Sequence, residues 1–497
     1  MWAALGQPLT SAEMETVEAN AAALGVSVDA LMERAGRAIA EEAVRHLPPS
    51  PAKVAILAGT GNNGGDGTCA AHYLLEWGFE PVIWFLRPPS QISSHSARRC
   101  FERVERRLPV HVGVPTPKDL EGFPLAIDAM LGTGQAGALR SPYREGVHAL
   151  AESGVPTLAV DLPTGSRDPA GLRPQWTVAL TVPKAEMDLG TAGELLVRDI
   201  GIPPAAWAHT GPGDFLFFPS APLEHGGRRT RVLVIGGGPY AGAPALAALA
   251  ALRSGAERAT VVAPGGAAER IQSFSPDLVV RPVGQDRFRP SDVAPILAFL
   301  RAAPPESVVL GMGAGADTET TEALGQLIEA LAGHVPLVID ADALRAVGRV
   351  PASADGAHPV IVTPNTGEFV REFGGQAAEP LEDRRARVRS EASRRGVTLV
   401  QKGDPDLISD GRHAIENYHH SPYQTVGGVG DVLGGVLGHL LGEGLSGLHA
   451  GRLGTYWVGE AGIRAAGSRG PGVLASDVIE ELPATVVAGW SRVRHAE

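Results

Sequence analysis

Apolar residues along the chain recur at two different spacings, and each change of spacing marks a new element. Near the start, Thr10 and Glu13 stand at capping-box spacing, and Leu31, Ala35 and Ile39 then repeat at helical intervals, which predicts a helical opening segment. The continuous apolar run Val54 to Ala58 predicts a buried strand. A glycine-rich turn, a helix from about Thr68 to Trp77 and a strand from Val82 to Leu86 complete a βαβ unit, with Gly78 as the helix stop. Two further strand-like runs, LAIDA and TLAVD, reach the carboxylates Asp128 and Asp161 just before a turn. Apolar strands that finish on a functional group at their carboxyl end are the layout of a parallel α/β sheet.

From Phe218 to Arg231 the pattern lapses into a polar stretch rich in proline and glycine, which places a boundary between domains of residues 1–218 and 219–497. The strand pattern restarts with RVLVIGG (231–237) and an alanine-rich helix up to Arg253, and continues through ATVVA, SVVLG, PLVID, PVIVT and VTLVQK. The halves share no motifs, so this is not a duplication. The segment Leu381 to Gly396 mixes both charge signs at helical spacing and reads as a solvated helix face.

Composition narrows the picture. A chain of 497 residues exceeds one ordinary core, and the size prior gives about two to four domains. Hydrophobic residues at 44% and charged residues at 20% suit a packed globular protein, and the 63 glycines and 40 prolines fall singly between apolar runs, as at strand–helix junctions. A net charge of −12 repels phosphate backbones and argues against a nucleic-acid partner, so an anionic ligand must be held by local features such as helix N-termini. The two cysteines, Cys69 and Cys100, have neither CxxC nor metal-ligand spacing, which argues against a disulfide scaffold or zinc. No signal peptide and no apolar run long enough for a bilayer is legible, so the sequence reads as cytoplasmic, without a membrane partner.

The first candidate chemistry is Gly59-Thr60-Gly61-Asn62-Asn63-Gly64-Gly65-Asp66-Gly67, between a strand and a helix. It contains GxGxxG, yet the next strand ends Phe85-Leu86-Arg87-Pro88, without the acid that holds ribose hydroxyls in a dinucleotide fold. Exposed N–H groups at a helix start suit phosphate, and the Asn and Asp side chains suit a hard cation. Asp128 to Gly134 and Asp161 to Gly165 are predicted to converge on the same sheet edge.

These strings, GNNGGDG, DAMLGTG and DLPTG, with LMERAG (31–36) and DIGIP (199–203), resemble the NAD(P)H-hydrate epimerase domain over residues 1 to 215. The resemblance implies a three-layer, Rossmann-like fold that interconverts the R and S hydrates of NADH and NADPH (NADHX and NADPHX). It implies hydrate binding by Asn62, Asn63, Gly64, Gly65 and Asp66 with Gly132, Thr133 and Gly134. It further implies a potassium ion on Asn63, Asp128 and Thr164, and Asp161 as the catalytic acid/base. Thr164 replaces the family's usual Ser and keeps its hydroxyl.

The second constellation is Thr425-Val-Gly427-Gly428-Val429-Gly430-Asp431, opening a glycine-rich apolar helix. An Asp there can deprotonate an attacking hydroxyl while the helix N-terminus receives the phosphoryl group. Together with Asp340-Ala-Asp342, Thr363 to Glu368 and Lys402 to Asp406, it resembles the NAD(P)H-hydrate dehydratase branch of the ribokinase-like superfamily, from about residue 228 to 487. The resemblance implies Asp431 as base and Gly427, Gly428 and Gly430 as the anion hole. Lys402, Gly403, Asp404, Pro405 and Asp406 would contact ADP or ATP with magnesium, and Ala243, Gly313 and Asn365 would lie against the hydrate. Phosphorylating the added hydroxyl makes it a leaving group, which explains how a kinase fold performs a dehydration. Asn365 and Val429 stand where the family commonly has His and Thr. His419-His420 lacks metal-ligand partners at suitable spacing and reads as a structural pair. The family commonly assembles, so a homo-oligomer is expected. The rival expectation is a vitamin or sugar kinase carrying a non-catalytic N-terminal scaffold.

Overall fold

The computed structural model describes residues 8–134, 137–218, 230–351 and 358–494. The chain divides into two compact units, one ending at Ala206 and one running from Trp207 to Arg494. Both are three-layer α/β/α domains, with helices on the two faces of each sheet. No helix among the described residues is long and apolar enough to cross a membrane.

The first unit is built on seven parallel strands: β1 (Lys53–Ala58), β2 (Glu80–Phe85), β3 (Val110–Val112), β4 (Leu125–Ala129), β5 (Thr157–Val160), β6 (Trp176–Leu180) and β7 (Glu194–Arg198). Their order is β3-β2-β1-β4-β5-β6-β7. Central strands β1, β4 and β5 are buried almost throughout because helices cover both faces, which is why they read as unbroken apolar runs. The order reverses direction between β1 and β4, and the loops leaving those strands border the crevice where such sheets bind ligands.

Helix α1 (Ser11–Ala23) carries the expected capping box of Thr10 and Glu13, and α2 (Val28–Arg45) buries Leu31, Ala35 and Ile39. Helix α3 (Asn62–Glu76) begins six residues before the predicted Thr68, so the glycine-rich string is the first helical turn rather than a loop ahead of it. Close packing explains the glycines: a Cβ on Gly64 would lie 2.0 Å from the Gly59 carbonyl oxygen, and one on Gly67 would lie 2.5 Å from Ala129. Gly78, at φ +85°, ends the helix region as expected. The cysteine reading requires correction. Cys69 of α3 and Cys100 of α4 (His95–Glu102) form a disulfide, a pairing with no signature in sequence because neighbouring helices bring the two together across 31 residues.

The second unit holds nine strands: β8 (Arg231–Ile235), β9 (Arg258–Pro264), β10 (Val279–Val283), β11 (Ser307–Leu310), β12 (Leu337–Ile339), β13 (Val360–Val362), β14 (Thr398–Gln401), β15 (Asp406–Ser409) and β16 (Ile415–Asn417). Their order is β10-β9-β8-β11-β12-β13-β14-β15-β16, with only β14–β15 and β15–β16 antiparallel. Successive residues feed opposite cores. Val234, Val309, Val338, Ile361 and Val400 pack with α5 (Gly242–Ser254), α9 (Val429–Gly442), α10 (Gly447–Arg469) and α11 (Ala475–Arg494), the intervening numbers being the helices of the other face. Leu233, Leu310, Ile339, Val362 and Leu399 pack with α6 (Pro290–Ala302), α7 (Thr318–Leu331) and α8 (Leu381–Arg395). Helix α8 is the charged segment; it buries only Val388 and Ala392.

The connecting residues 207–218 belong to this second core. His209 bridges Glu416 beside β16, the Thr210 N–H donates to the Glu416 carbonyl at 2.9 Å, and Phe215 is buried among the helices. Asp214, fully buried, accepts from Arg452 Nε at 2.6 Å and from the Gly211 N–H at 2.7 Å. Removing one partner of such a pair strands the other charge in the interior, so Asp214→Ala should destabilise this unit by about 3–5 kcal/mol in denaturant unfolding. An unchanged midpoint would show that Arg452 finds water instead.

Candidate active sites

The first site is assembled by the turns after β1, β4 and β5. Gly61 caps α3 without a side-chain bond, and the first intrahelical donor is Gly65 to Gly61, which leaves the N–H groups of Asn62, Asn63 and Gly64 pointing from the helix end without helical partners. Asn62 is exposed, Asn63 and Asp66 are half-buried, and Gly64 and Gly65 are buried. Behind this turn, Asp128 is fully buried. Its Oδ1 accepts from the Thr164 hydroxyl at 2.8 Å and the Met130 N–H at 3.1 Å, and its Oδ2 from the Thr164 N–H at 2.9 Å. Asn63 stands against Gly132, where a Cβ would come 3.1 Å from the Asn63 Cβ, and its buried Nδ2 has no hydrogen-bond partner. The structure thus brings Asn63, Asp128, Thr164 and Gly132 together; Thr133 is half-buried and Gly134 exposed at the rim. Burial pushes the Asp128 carboxyl up to about 6, against the pull of the Thr164 donors.

Asp161 follows β5 with φ +60°, a left-handed conformation that costs an ordinary residue roughly 1–2 kcal/mol. The turn aims its Oδ1 at the Leu180 N–H (3.1 Å) and at the Lys184 ammonium, which also donates to the carbonyls of Leu180 (3.0 Å) and Val182 (3.2 Å). Among the described residues Oδ2 accepts no hydrogen bond. Lys184, with 1% of its side chain exposed, went unnoticed in the sequence, although a lone lysine just after the buried strand β6 is the signal that could have found it. Two more carboxyl groups feel this pair. Burial drives Asp66 well above the usual range, with the charges of Asp161 and Glu18 adding to it. Burial also raises Glu18 of α1 to about 7, Lys184 opposing and Asp161 reinforcing. Glu18, raised to about 7 beside this ammonium, can hold and release a proton near neutral pH.

The second site lies where β11 to β14 end beneath the start of α9. Lys402 Nζ binds both oxygens of buried Asp340, at 2.9 and 3.1 Å, and a Cβ on Gly430 would sit 3.1 Å from that ammonium. Burial disfavours the lysine charge, but Asp340, Glu368 and Asp431 outweigh it and raise its affinity for the proton. Asp431 is pushed up to about 7 by burial and by Asp340, Lys402 working the other way. Burial likewise raises Glu368. Gly428, at φ +99°, turns the chain into α9; the first helical bond there runs from Val432 to Gly428, so the Gly430 and Asp431 N–H groups face outward from the ladder. Gly427 is exposed beside them.

The other expected contacts fall around this edge. Gly313, at φ +63°, stands 3.4 Å, as a would-be Cβ, from Ala243 of α5. Asn365 caps the helix Thr366–Phe373: its side chain accepts from the Glu368 N–H at 2.9 Å while Glu368 accepts from the Asn365 N–H at 2.8 Å. The loop after Lys402 is tied down, with Gly403 donating to Asp406 (2.9 Å) and Arg384 of α8 donating to the Pro405 carbonyl (2.6 Å), while Asp404 projects into solvent. So the charged helix is not wholly a solvated face. His419 pairs with Glu460 and stacks on Tyr456, and His420 lies 3.6 Å from Asp404.

Two parallel edges, each with a bare helix N-terminus beside a buried lysine–aspartate pair, define a two-domain α/β enzyme of phosphorylated small molecules. Residues 28–186 match the model of the YjeF-related protein N-terminus, and residues 232–484 that of NAD(P)H-hydrate dehydratase. The bifunctional NAD(P)H-hydrate repair enzyme Nnr of Pyrobaculum aerophilum is 37% identical, covering 97% of this chain and 98% of that protein. Its counterpart in Methanothermobacter thermautotrophicus is 36% identical over 96% and 95% of the two chains. An ADP/ATP-dependent NAD(P)H-hydrate dehydratase from Bacillus subtilis, co-crystallised with ATP/Mg2+, is 21% identical with a TM-score of 0.46, covering 56% of this chain and 96% of that one. The chain belongs to the bifunctional NAD(P)H-hydrate repair enzyme family.

The Asp431 environment sets a pH dependence. Below about 7 its carboxyl in the free enzyme holds a proton and cannot take another, so kcat/KM of the nucleotide-dependent reaction should rise with pH to a plateau, with a midpoint near 7. A flat profile between pH 5.5 and 8.5 would show that Asp431 is not the base.

Proposed function

We propose that the first unit interconverts the R and S hydrates of NADH and NADPH, and that the second dehydrates the S hydrate at the expense of ADP or ATP. The observation that carries this reading is the buried Lys402–Asp340 pair directly beneath the start of α9, next to Asp431. That arrangement suits transfer to an alcohol. Asp431 accepts the hydroxyl proton as the hydroxyl oxygen attacks the terminal phosphorus and the bond from that phosphorus to the nucleotide's bridging oxygen breaks, releasing ADP from ATP or AMP from ADP, while the N–H groups of Gly427, Gly428 and Gly430 donate to the phosphoryl oxygens. The carbon–oxygen bond then breaks with its electron pair on phosphate, and loss of a proton from the adjacent ring carbon restores the dihydronicotinamide. Lys402 and the following loop orient the nucleotide phosphates, and Ala243, Gly313 and Asn365 lie where the hydrate would rest.

Four carboxyl groups, Asp340, Asp342, Glu368 and Asp431, share one ammonium there. That excess of hard oxygen donors fits magnesium, which when bound neutralises phosphate charge. In the first unit the oxygen donors of Asn63, Asp128 and Thr164 fit potassium, the unpartnered Asn63 amide marking room beside buried Asp128. Asp161, oriented through Oδ1 by Lys184, has Oδ2 to take the hydroxyl proton as the ring carbon–nitrogen bond opens to an aldehyde, its electron pair and a proton going to nitrogen, and to return a proton to the oxygen as the nitrogen adds back to the other face.

A mixed-epimer hydrate followed at the dihydronicotinamide absorbance tests both halves. The wild-type protein should restore all of it with ATP or ADP and magnesium. Asp161→Asn should restore the S share at the normal rate and slow the R share by roughly a hundredfold or more. Unchanged R consumption would reduce the first unit to a scaffold, and untouched S hydrate with either nucleotide would remove the dehydratase.

A further inference from the structure

A hydrated dinucleotide carries its adenosine phosphates far from the reacting ring, so the first unit must lodge that half somewhere along its sheet edge. In a sheet of this order the usual path leads from the glycine turn toward the strand beside it, β2. Here that path is filled. The chain leaving β2 doubles back, Ser93 donating to the Thr60 carbonyl at 3.2 Å, and Arg98 pins the fold by donating to the carbonyls of Pro89, Ser90 and Ile92 at 3.0–3.3 Å. A Cβ on Gly65 would already lie 2.7 Å from Ala97, and Ile92 is buried alongside.

The opposite direction is open. Between the loops that follow β5 and β6 lies a cleft of about 380 Å³, lined among others by Gly165, Arg167, Asp168, Arg173, Glu186 and Asp188. Its walls start where the site ends, since Gly165 follows Thr164 and Ala185 follows Lys184. Asp161 leaves β5 just ahead of the loop that forms one wall of the cleft, so cleft and site share the same sheet edge. Arg173 is exposed and, among the described residues, makes no hydrogen bond or ion pair; Arg167 makes only a 3.5 Å bond to the Ala185 carbonyl. Each acid in the cleft accepts from at least one backbone donor, while the buried Glu186 Oε2 has no hydrogen-bond partner among the described residues. Asp168 accepts from the Leu139 and Ala170 N–H groups at 2.8 and 2.9 Å, Asp188 from Gly190 at 2.9 Å, and Glu186 from Ser11 at 3.0 Å. In a chain of net charge −12, where most described arginines sit against a carboxylate, two uncommitted guanidinium groups at the mouth of a polar cleft are a phosphate-binding arrangement.

We propose that this cleft holds the adenosine-phosphate half of the hydrate during epimerisation, with Arg173 and Arg167 engaging its phosphates; the inference rests on the epimerase reading of the first unit. The carboxylates beside them are placed to accept from ribose hydroxyls.

The test compares three substrates, the hydrates of reduced nicotinamide mononucleotide, NADH and NADPH, in the full-length wild type, Arg173→Ala, Arg173→Lys and the Arg167→Ala/Arg173→Ala double variant. The alanine variants should raise KM for both dinucleotide hydrates about tenfold or more, leave kcat alone, and leave the mononucleotide hydrate unaffected; the lysine variant should recover most of the loss. A larger rise for the NADPH hydrate than for the NADH hydrate assigns an arginine to the 2′-phosphate, and an equal rise assigns the pair to the pyrophosphate. Unchanged KM for the dinucleotide hydrates, or an equal rise for all three substrates, overturns the proposal while leaving the epimerase intact. Failure of the wild type to epimerise any of them overturns the epimerase reading and the cleft assignment with it.

Discussion

An ammonium can be taken out of water only where a counter-charge and further acceptors replace the lost hydration, and both halves of this chain meet that condition at the carboxyl edge of their sheet. Lys184 does so with Asp161 and two strand-end carbonyls, Lys402 with both oxygens of Asp340. Each lysine then acts on the carboxyl groups around it. Without Lys402, four acids would converge beneath one helix start with nothing to offset their repulsion; with it, Asp431 is held near the point where it can trade a proton. Glu18 is held near that point beside Lys184, and Asp66 is pushed well above the usual carboxylate range by burial, Lys184 opposing. The close approach of backbones that the glycines permit exists to bring these groups within range.

The two edges reach that state by different local means. In the second unit Asp431 sits in the first turn of α9, entered through a left-handed glycine, so helix geometry orients it. In the first, Asp161 itself adopts the left-handed conformation, and its orientation comes from the β6 loop rather than from a helix. One site depends on a secondary-structure end, the other on two loops meeting, and their tolerance of nearby sequence change should differ accordingly.

Much of this was legible in the sequence. Strands β1, β4, β5, β8 and β11 to β14 announce themselves as apolar runs because they are buried on both faces, whereas β3, β7 and β10 are too exposed to do so. The motif strings single out Asn63, Asp128, Thr164 and Asp431 only in combination. What escaped has a common cause, that it depends on partners distant in sequence. The first turn of α3 looked like a loop because its glycines answer to Gly59 and Ala129, not to helix propensity. Cys69 and Cys100 meet only because α3 and α4 are neighbours. Lys184 and Glu18 acquire meaning only beside Asp161, and Arg384 only where α8 meets the loop after Lys402.

The pairing of His209 and Thr210 with Glu416 has a wider effect. A sheet that ends in a short strand such as β16 offers its outer row of amides and carbonyls to any extended peptide that passes, the usual first step of runaway strand addition between molecules. Here the chain's own connecting segment occupies part of that row before a foreign strand can. The segment that opens the second unit thus serves as a guard against self-association, made of backbone pairing reinforced by the Thr210 hydroxyl on Asn417 and the His209 ring beside Tyr418.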